Sequence, residues 1–161
     1  MNVRKVYEYA LEREREGFEF FRSNAERMSH ASAAGIFRQL ADEEQMHIEF
    51  IEGKIQGLKG GQPVSPDVEM KEGDFFEERA ASESLDQTVI ESMVPDLPVL
   101  RMAYLIEHDL AEFYSAAAER AEGDAKQALS MLAQWERGHE KLFKNLHDKI
   151  LQEYMEMPWG G

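Results

Sequence analysis

The 161-residue chain contains no cysteine, few prolines and no long hydrophobic run, and each absence excludes a class of protein. Without cysteine it has no disulfide, no thiolate zinc site, no iron–sulfur cluster and no cysteine nucleophile. Without a run of about 18 apolar residues, no membrane span is expected. The N-terminus also lacks the apolar core of a signal peptide, so the sequence predicts a cytoplasmic protein.

Positive charge is scarce as well. Acidic residues outnumber basic ones 32 to 18, and the formal net charge is −14 at pH 7. Because nucleic acids and anionic membranes bind basic surfaces, this balance argues against both as partners. The chain length and a hydrophobic fraction of 43% predict one globular domain over residues 1–161. Any chemistry in this domain must use Glu, Asp, His or Tyr side chains.

The prolines divide the chain, because four of the five lie between residues 63 and 98. Apolar residues recur at three- and four-residue steps over about 2–57 and 98–154, so each of these segments predicts two helices joined by a short turn. The connector 58–97 predicts two short helices, at about 74–82 and 85–93. Antiparallel neighbours need far fewer than about 40 linking residues. We therefore predict an all-α, up-down-down-up four-helix bundle with a long crossover between helices 2 and 3.

The two helical hairpins resemble each other in sequence. Residues 10–27 match residues 103–120 at seven of 18 positions, where about one match is expected by chance. Residues 40–47 match residues 132–139 at four of eight positions, with an offset of 92. A duplicated helical hairpin is the simplest explanation of this repeat.

Each predicted helix has an apolar stripe that is interrupted near its middle by ionisable residues. On the first helix the predicted stripe includes Tyr7, Leu11, Phe18, Phe21 and Ala25, with the interruption between Leu11 and Phe18. The interruptions occupy matching positions of the repeat and comprise Glu14, Glu44, His47, Glu107, Glu136 and His139. Unpaired carboxylates are costly in an apolar core, and lysine and arginine are almost absent from these stripes.

Metal ions are the remaining way to satisfy four carboxylates and two imidazoles that face one another. Two divalent cations would balance the four negative charges. Each Glu-x-x-His segment places both of its side chains on one face of a helix, so that they can reach neighbouring positions of a dinuclear site. Oxygen-rich ligation with one imidazole per metal favours iron or manganese over zinc.

This residue set resembles the ligands of the ferritin-like di-iron carboxylate proteins. The segments EREREGFEFFRSNAE and LADEEQMHIEF further resemble the rubrerythrin branch, and the resemblance covers both hairpins. It implies a ferritin-like bundle with two iron ions, or manganese or a mixed pair in their place. It also implies that Glu44 and Glu136 bridge the metals, while Glu14, His47, Glu107 and His139 complete the two ligand sets. The implied activity is that of a non-haem di-iron oxidoreductase that reacts with hydrogen peroxide or dioxygen, and the implied assembly is a homodimer.

The sequence departs from the rubrerythrin pattern in two places. Rubrerythrins proper carry a cysteine-ligated iron module, and these residues contain no cysteine, so an external electron donor such as a rubredoxin-type protein is expected. Rubrerythrins also place an extra glutamate three residues after the third-helix ligand. Here that position is Leu110, and its repeat counterpart is Gly17. The departure weakens the transfer of the peroxidase mechanism and leaves the di-iron site itself intact.

Several interpretations stay open at this point. Tyr114 lies on the stripe of Glu107, where its hydroxyl either bonds a ligand carboxylate or is satisfied elsewhere in the core. Trp135 is expected to pack in the core or at an interface. Two further functions compete with the oxidoreductase: an iron-handling protein that oxidises ferrous iron for storage or delivery, and a structural bundle in which the metal pair only stabilises the fold.

Overall fold

The computed structural model describes residues 1–60 and 91–158. Four long helices form the described part of the chain: α1 (Val3–Ala25), α2 (Ala31–Gly60), α3 (Leu97–Glu119) and α4 (Gly123–Glu156), with a 3₁₀ turn at Val94–Asp96 before α3. No strand occurs in these residues, which confirms the all-α fold class. The predicted short helix 74–82 lies outside the described residues, and of the predicted helix 85–93 only 91–93 are described, as helix.

The helices begin and end where the local sequence offers caps and turns. At the start of α1, the side chain of Asn2 accepts a hydrogen bond from the backbone N–H of Lys5 (3.1 Å), as an N-cap should. In the turn between α3 and α4, Gly123 is the first residue of α4. Its φ of +57° is a left-handed conformation that glycine adopts without strain.

Two apolar clusters, one at each end of the bundle, show in which direction each helix runs. The cluster that we call the tyrosine end contains Tyr7, Ile51, Tyr114, Leu129 and Trp135, among others. The cluster that we call the phenylalanine end contains Phe21, Phe37, Leu100, Phe143 and Ile150. The start of α1, the end of α2, the end of α3 and the start of α4 thus share one end of the bundle. This arrangement confirms the up-down-down-up topology.

The crossover follows from the same geometry. Ile55, near the end of α2, packs against the tyrosine end. Met93, which comes shortly before α3, is buried in the phenylalanine end. The chain on the two sides of the undescribed segment 61–90 therefore lies at opposite ends of the bundle. The described chain thus leaves α2 and resumes before α3 at opposite ends of the bundle, as the predicted crossover between the second and third helices requires.

Close packing of α1 corrects one detail of its predicted stripe. Ala10 and Gly17 are buried together with Tyr7 and Phe21. Leu11 and Phe18, which the sequence placed at the centre of the stripe, are only half-buried. At Gly17 the backbone of α1 approaches α2 closely, because an added Cβ would lie 3.1 Å from Glu44 Oε2.

A buried carboxylate fixes the start of α3 against the turn between α1 and α2. Asp96 is the N-cap residue of α3, but its side chain does not cap that helix. It accepts hydrogen bonds instead from the backbone N–H of Ser29 (3.1 Å) and from the Ser29 hydroxyl (3.0 Å).

Among the residues that the structure describes, no helix has the length and apolarity needed to cross a bilayer.

Candidate metal centre

A layer of ionisable side chains separates the two apolar ends of the bundle. It contains all six residues that the sequence predicted as ligands, and each of them is at most 2% exposed: Glu14, Glu44, His47, Glu107, Glu136 and His139. The α1 and α3 helices contribute one glutamate each, while α2 and α4 contribute a glutamate and a histidine three residues apart. Because three residues make nearly one helical turn, both side chains of each pair point into the bundle.

The two imidazoles face the carboxylates with the same ring nitrogen. His47 Nδ1 lies 3.0 Å from a Glu136 oxygen and 3.3 Å from a Glu14 oxygen. His139 Nδ1 lies 3.3 Å from the other Glu136 oxygen. It also lies 3.4 Å from Glu44 and 3.7 Å from Glu107. The two rings are nearly parallel, with centroids 5.5 Å apart.

These distances divide the layer into two overlapping sets of four residues. One set is Glu14, Glu44, His47 and Glu136, and the other is Glu44, Glu107, Glu136 and His139. Within each set, one ligand atom from every residue lies within 4.8 Å of the others, so each set could hold one metal ion. Glu44 and Glu136 belong to both sets, which is the arrangement that bridging carboxylates require.

Burial and mutual repulsion shift the proton equilibria of the layer. The pKa of Glu44 is raised well above its usual value by burial and then by the Glu136 carboxylate. The pKa of Glu107 is raised by the same two causes. Burial would also raise the pKa of Glu136, but contacts with His47 and His139 hold it well below its usual value.

The imidazole of His139 shows the complementary shift. Burial alone would lower its pKa, but the close carboxylates of Glu107 and Glu136 raise the pKa well above its usual value. A metal-free layer therefore retains protons at a pH where exposed glutamates and histidines would have lost them. Divalent cations would replace these protons.

Six buried carboxylate oxygens of the layer also fit a metal site because the described residues give them no hydrogen-bond partner. Among the described residues, no hydrogen bond of acceptable geometry reaches any of the six oxygens of Glu44, Glu107 and Glu136. Buried oxygens of this kind normally have a partner, since an unsatisfied one costs free energy. A pair of cations would supply partners for all of them, and oxygen with imidazole is a donor set that iron and manganese favour.

Tyr114 adds a hydrogen bond at the edge of the layer. Its buried hydroxyl donates to Glu14 Oε1, which selects the first of the two roles that the sequence left open. Burial and the neighbouring Glu14 raise the pKa of this phenol well above its usual value, so Tyr114 stays protonated and can keep donating. The donation fixes one oxygen of Glu14 and leaves the other facing His47.

Three residues at the layer were missed or only partly interpreted from the sequence. Glu43 contacts the outer nitrogen of His139, with 2.7 Å between Oε2 and Nε2. Trp135 stacks on the ring of His47 at a centroid distance of 5.0 Å. Gly17 lies so close to Glu44 that an added Cβ would be 3.1 Å from Oε2. The sequence carried a signal for the first two, because Glu43 and Trp135 occupy equivalent positions of the repeat, directly before Glu44 and Glu136.

The position of the missing rubrerythrin glutamate is apolar in the structure. Leu110 is buried in the tyrosine end and offers no oxygen to the layer. A family model described as Rubrerythrin matches residues 5–147 of the chain. That range includes most of both hairpins and all six residues of the layer. No curated protein and no solved structure matches the chain.

Proposed function

The chain belongs to the rubrerythrin family of ferritin-like di-iron carboxylate proteins, and from this premise we propose that it is a non-haem di-iron oxidoreductase that reduces hydrogen peroxide or dioxygen. The observation that carries the proposal is the pair of overlapping four-residue sets that share two glutamates. Two bound iron ions would supply electrons and Lewis acidity at this point of the bundle.

The chain's own residues would hold and shield the metal pair. In this proposal Glu44 and Glu136 would be shared by the two metals, Glu14 and His47 would help to hold one of them, and Glu107 and His139 would help to hold the other, as their distances favour. Tyr114 keeps Glu14 in place through its hydrogen bond. The apolar ends exclude bulk water on both sides, which strengthens the electrostatic interactions inside the layer.

Electrons must reach the site from outside the 161 residues. These residues contain no cysteine, so they hold no cysteine-ligated iron module. The proposal therefore includes an external electron donor, such as a rubredoxin-type protein. The homodimer implied by the family resemblance stays a prediction that sedimentation of the intact protein would test.

The test is anaerobic loading with ferrous iron followed by addition of hydrogen peroxide. We expect two irons to bind per chain and peroxide to disappear faster than with the same concentration of free iron. The double variant Glu44→Ala with Glu136→Ala should lose both properties, because it removes the two shared ligands. A matched control is Glu49→Ala with Glu153→Ala, which removes one exposed glutamate from each of the same two helices.

The outcomes separate the competing functions. Peroxide consumption no faster than that of free iron would contradict the oxidoreductase. Oxidation by dioxygen with uptake of many more than two irons per chain would favour iron handling instead. A double variant that loses only thermal stability, in a protein without redox activity, would favour a structural role for the metals.

A further inference from the structure

The two halves of the repeat differ at the aromatic position that follows the layer glutamate of α1 and of α3. Phe21 lies seven residues after Glu14, and Tyr114 lies seven residues after Glu107. The two aromatic positions are related by an offset of 93 residues, and both side chains are 0% exposed. Phe21 belongs to the phenylalanine end and Tyr114 to the tyrosine end. The rings thus occupy equivalent places, and the hydroxyl is the chemical difference between them.

The hydroxyl of Tyr114 reaches the neighbouring helix. Helical side chains tilt towards the N-terminus of their helix, so both rings are directed from the ends of the bundle back towards the layer. The Tyr114 hydroxyl donates to Glu14 Oε1, while Glu14 Oε2 lies 3.3 Å from Nδ1 of His47. Each oxygen of this carboxylate therefore has a polar neighbour. Because Tyr114 is itself packed in the core, its hydrogen bond holds Glu14 in one orientation.

The carboxylate of Glu107 has no such contact. The repeat places Phe21 relative to Glu107 as it places the tyrosine relative to Glu14, but a phenyl ring has no O–H or N–H to donate. The ring stacks instead on Phe143, with 5.4 Å between centroids. Among the described residues, no hydrogen bond of acceptable geometry reaches either oxygen of Glu107, and Oε2 lies 3.7 Å from Nδ1 of His139. No hydrogen bond therefore fixes this carboxylate in the way that Glu14 is fixed.

We propose that Glu107 is the adjustable ligand of the metal pair, because Phe21 leaves it without a donor, and that Glu14 is the fixed ligand, because Tyr114 positions it. The inference rests on the proposed metal pair and adds a difference between its two single glutamates. A carboxylate that can turn accommodates ions of different size, since its oxygens move with the ion. A carboxylate held by an outer donor keeps its place, and an ion that does not fit there binds less tightly. The position beside Glu107 should thus tolerate different metals better than the position beside Glu14.

The test compares crystals of the metal-free protein with crystals grown with zinc(II), manganese(II) or cadmium(II), three ions of increasing size. In the wild type, we expect Glu14 to keep one orientation and its hydrogen bond from Tyr114 in all four structures. The carboxylate of Glu107 should change its orientation from one structure to another. A Glu107 that is identical in all four structures, or a Glu14 that moves as much as Glu107, would overturn the proposal.

Two substitutions exchange the hydroxyl between the equivalent positions. Tyr114→Phe keeps the ring, so Glu14 should take different orientations with the three ions, and calorimetry should show one of the two metal-binding steps weakened about 10- to 100-fold. Phe21→Tyr adds a hydroxyl at the equivalent place, so Glu107 should keep one orientation in all of the structures. The wild-type and Tyr114→Phe structures decide the proposal even if the added hydroxyl of Phe21→Tyr prevents folding.

An exposed tyrosine of α1 provides the matched control. Tyr9 is 49% exposed, so Tyr9→Phe removes a hydroxyl at a distance from the layer and should change neither the carboxylate orientations nor the affinities. If Tyr114→Phe left the orientation of Glu14 and both binding steps unchanged, or if Tyr9→Phe had the same effect as Tyr114→Phe, the positioning role of Tyr114 would be wrong.

These readouts do not depend on the proposed reaction. A protein that consumes no peroxide but shows a fixed Glu14 and an adjustable Glu107 would contradict the oxidoreductase and support the roles of Phe21 and Tyr114. A protein that reduces peroxide with both carboxylates fixed, or with both adjustable, would overturn these roles and leave the oxidoreductase proposal intact. A protein that binds none of the ions would overturn both proposals.

Discussion

The ends of the bundle and the layer between them are buried to the same degree but contribute to stability in opposite ways. At the phenylalanine end, Phe21, Phe37 and Phe143 are fully buried and pack ring against ring, with centroids 5.4 to 5.7 Å apart. Burying such side chains stabilises the fold whether or not a ligand is present. In the layer, Glu44 and Glu107 are equally buried, and each raises the free energy of the metal-free fold. The ends thus stabilise a bundle whose middle is stable only when it is protonated or bound to metal.

The ends also differ from each other in their relation to the layer. The tyrosine end includes Tyr114, which donates to Glu14, and Trp135, which stacks on His47. The phenylalanine end contributes hydrocarbon rings. Polar aromatic contacts with the layer are therefore made from the tyrosine end, while the phenylalanine end serves as packing. Changes in the two regions should accordingly have different consequences for metal binding.

The largest effect on stability is expected from a cavity at the phenylalanine end. Phe143 is 0% exposed and stacks on Phe21 with an interplanar angle of 8°. Phe143→Ala should lower the free energy of unfolding by about 3–5 kcal/mol, because the lost burial is added to the cost of the cavity. The loss should be similar in metal-free and metal-loaded protein, as measured by urea unfolding with and without a chelator.

An exposed apolar residue of the same helix provides the control. Met155 is 70% exposed, so Met155→Ala should change stability by less than about 0.5 kcal/mol. If Phe143→Ala destabilised only the metal-loaded protein, the phenylalanine end would be part of the metal site, and the contrast drawn between the ends and the layer would be wrong.

A smaller effect on the free energy of unfolding is expected from pH. It should arise in the layer, not in the apolar ends, and it should appear in the metal-free protein. Burial raises the pKa of Glu44 and Glu107 above 4.5, and neighbouring carboxylates raise the pKa of His139 above 6.5. The folded state then binds more protons than the unfolded state, so the free energy of unfolding should fall as pH rises through these folded pKa values. The slope should reach about 1.4 kcal/mol per pH unit for each proton retained. Urea unfolding of chelator-treated protein from about pH 5 to about pH 8.5 measures it.

Glu136 does not reverse this trend. Its pKa is lowered, so its contribution is present above its unfolded pKa of about 4.5 and is lost only at more acidic pH. Glu107→Leu removes one group with a raised pKa and should therefore flatten the slope and raise stability at the alkaline end. Metal should invert the dependence, because metal ions displace the retained protons. If the free energy of unfolding of the metal-free protein were constant over this pH range, the layer would not retain extra protons in the folded state.

The sequence predicts the fold and the members of the layer for an identifiable reason. Glu44 and His47 interrupt an apolar stripe at helical spacing, and the repeat places Glu136 and His139 at the same positions of the other half. The first signal is local to one helix and the second compares the two halves of the chain, and a bundle that buries its stripes must bring these residues together. The family match over residues 5–147 confirms the resemblance from which the bundle type was inferred.

The contacts across the bundle could not be predicted in this way. Glu43 stands in an acidic run, and helical spacing places it at the edge of the stripe, as it would a solvated residue. Its contact with His139 depends on how closely α2 and α4 approach, which no single-helix pattern specifies. The sequence identifies Gly17 only as the counterpart of Leu110, and the closeness of Gly17 to Glu44 depends in the same way on the distance between α1 and α2.

The smallest effect is expected where the backbone of α1 meets the layer. Gly17→Ala places a Cβ 3.1 Å from Glu44 Oε2, and the carboxylate must move by a few tenths of an ångström. Alanine in place of a helical glycine normally stabilises a protein by roughly 0.5–1 kcal/mol. Gly53→Ala in α2, whose added Cβ has no atom within 4 Å, should show that full gain with unchanged cobalt affinity. Gly17→Ala should gain less in urea unfolding and bind cobalt more weakly, because Glu44 is shared by both metal positions. An equal gain in the two variants, with equal cobalt affinity, would show that Glu44 can move without cost and that the layer is less tightly packed than the ends.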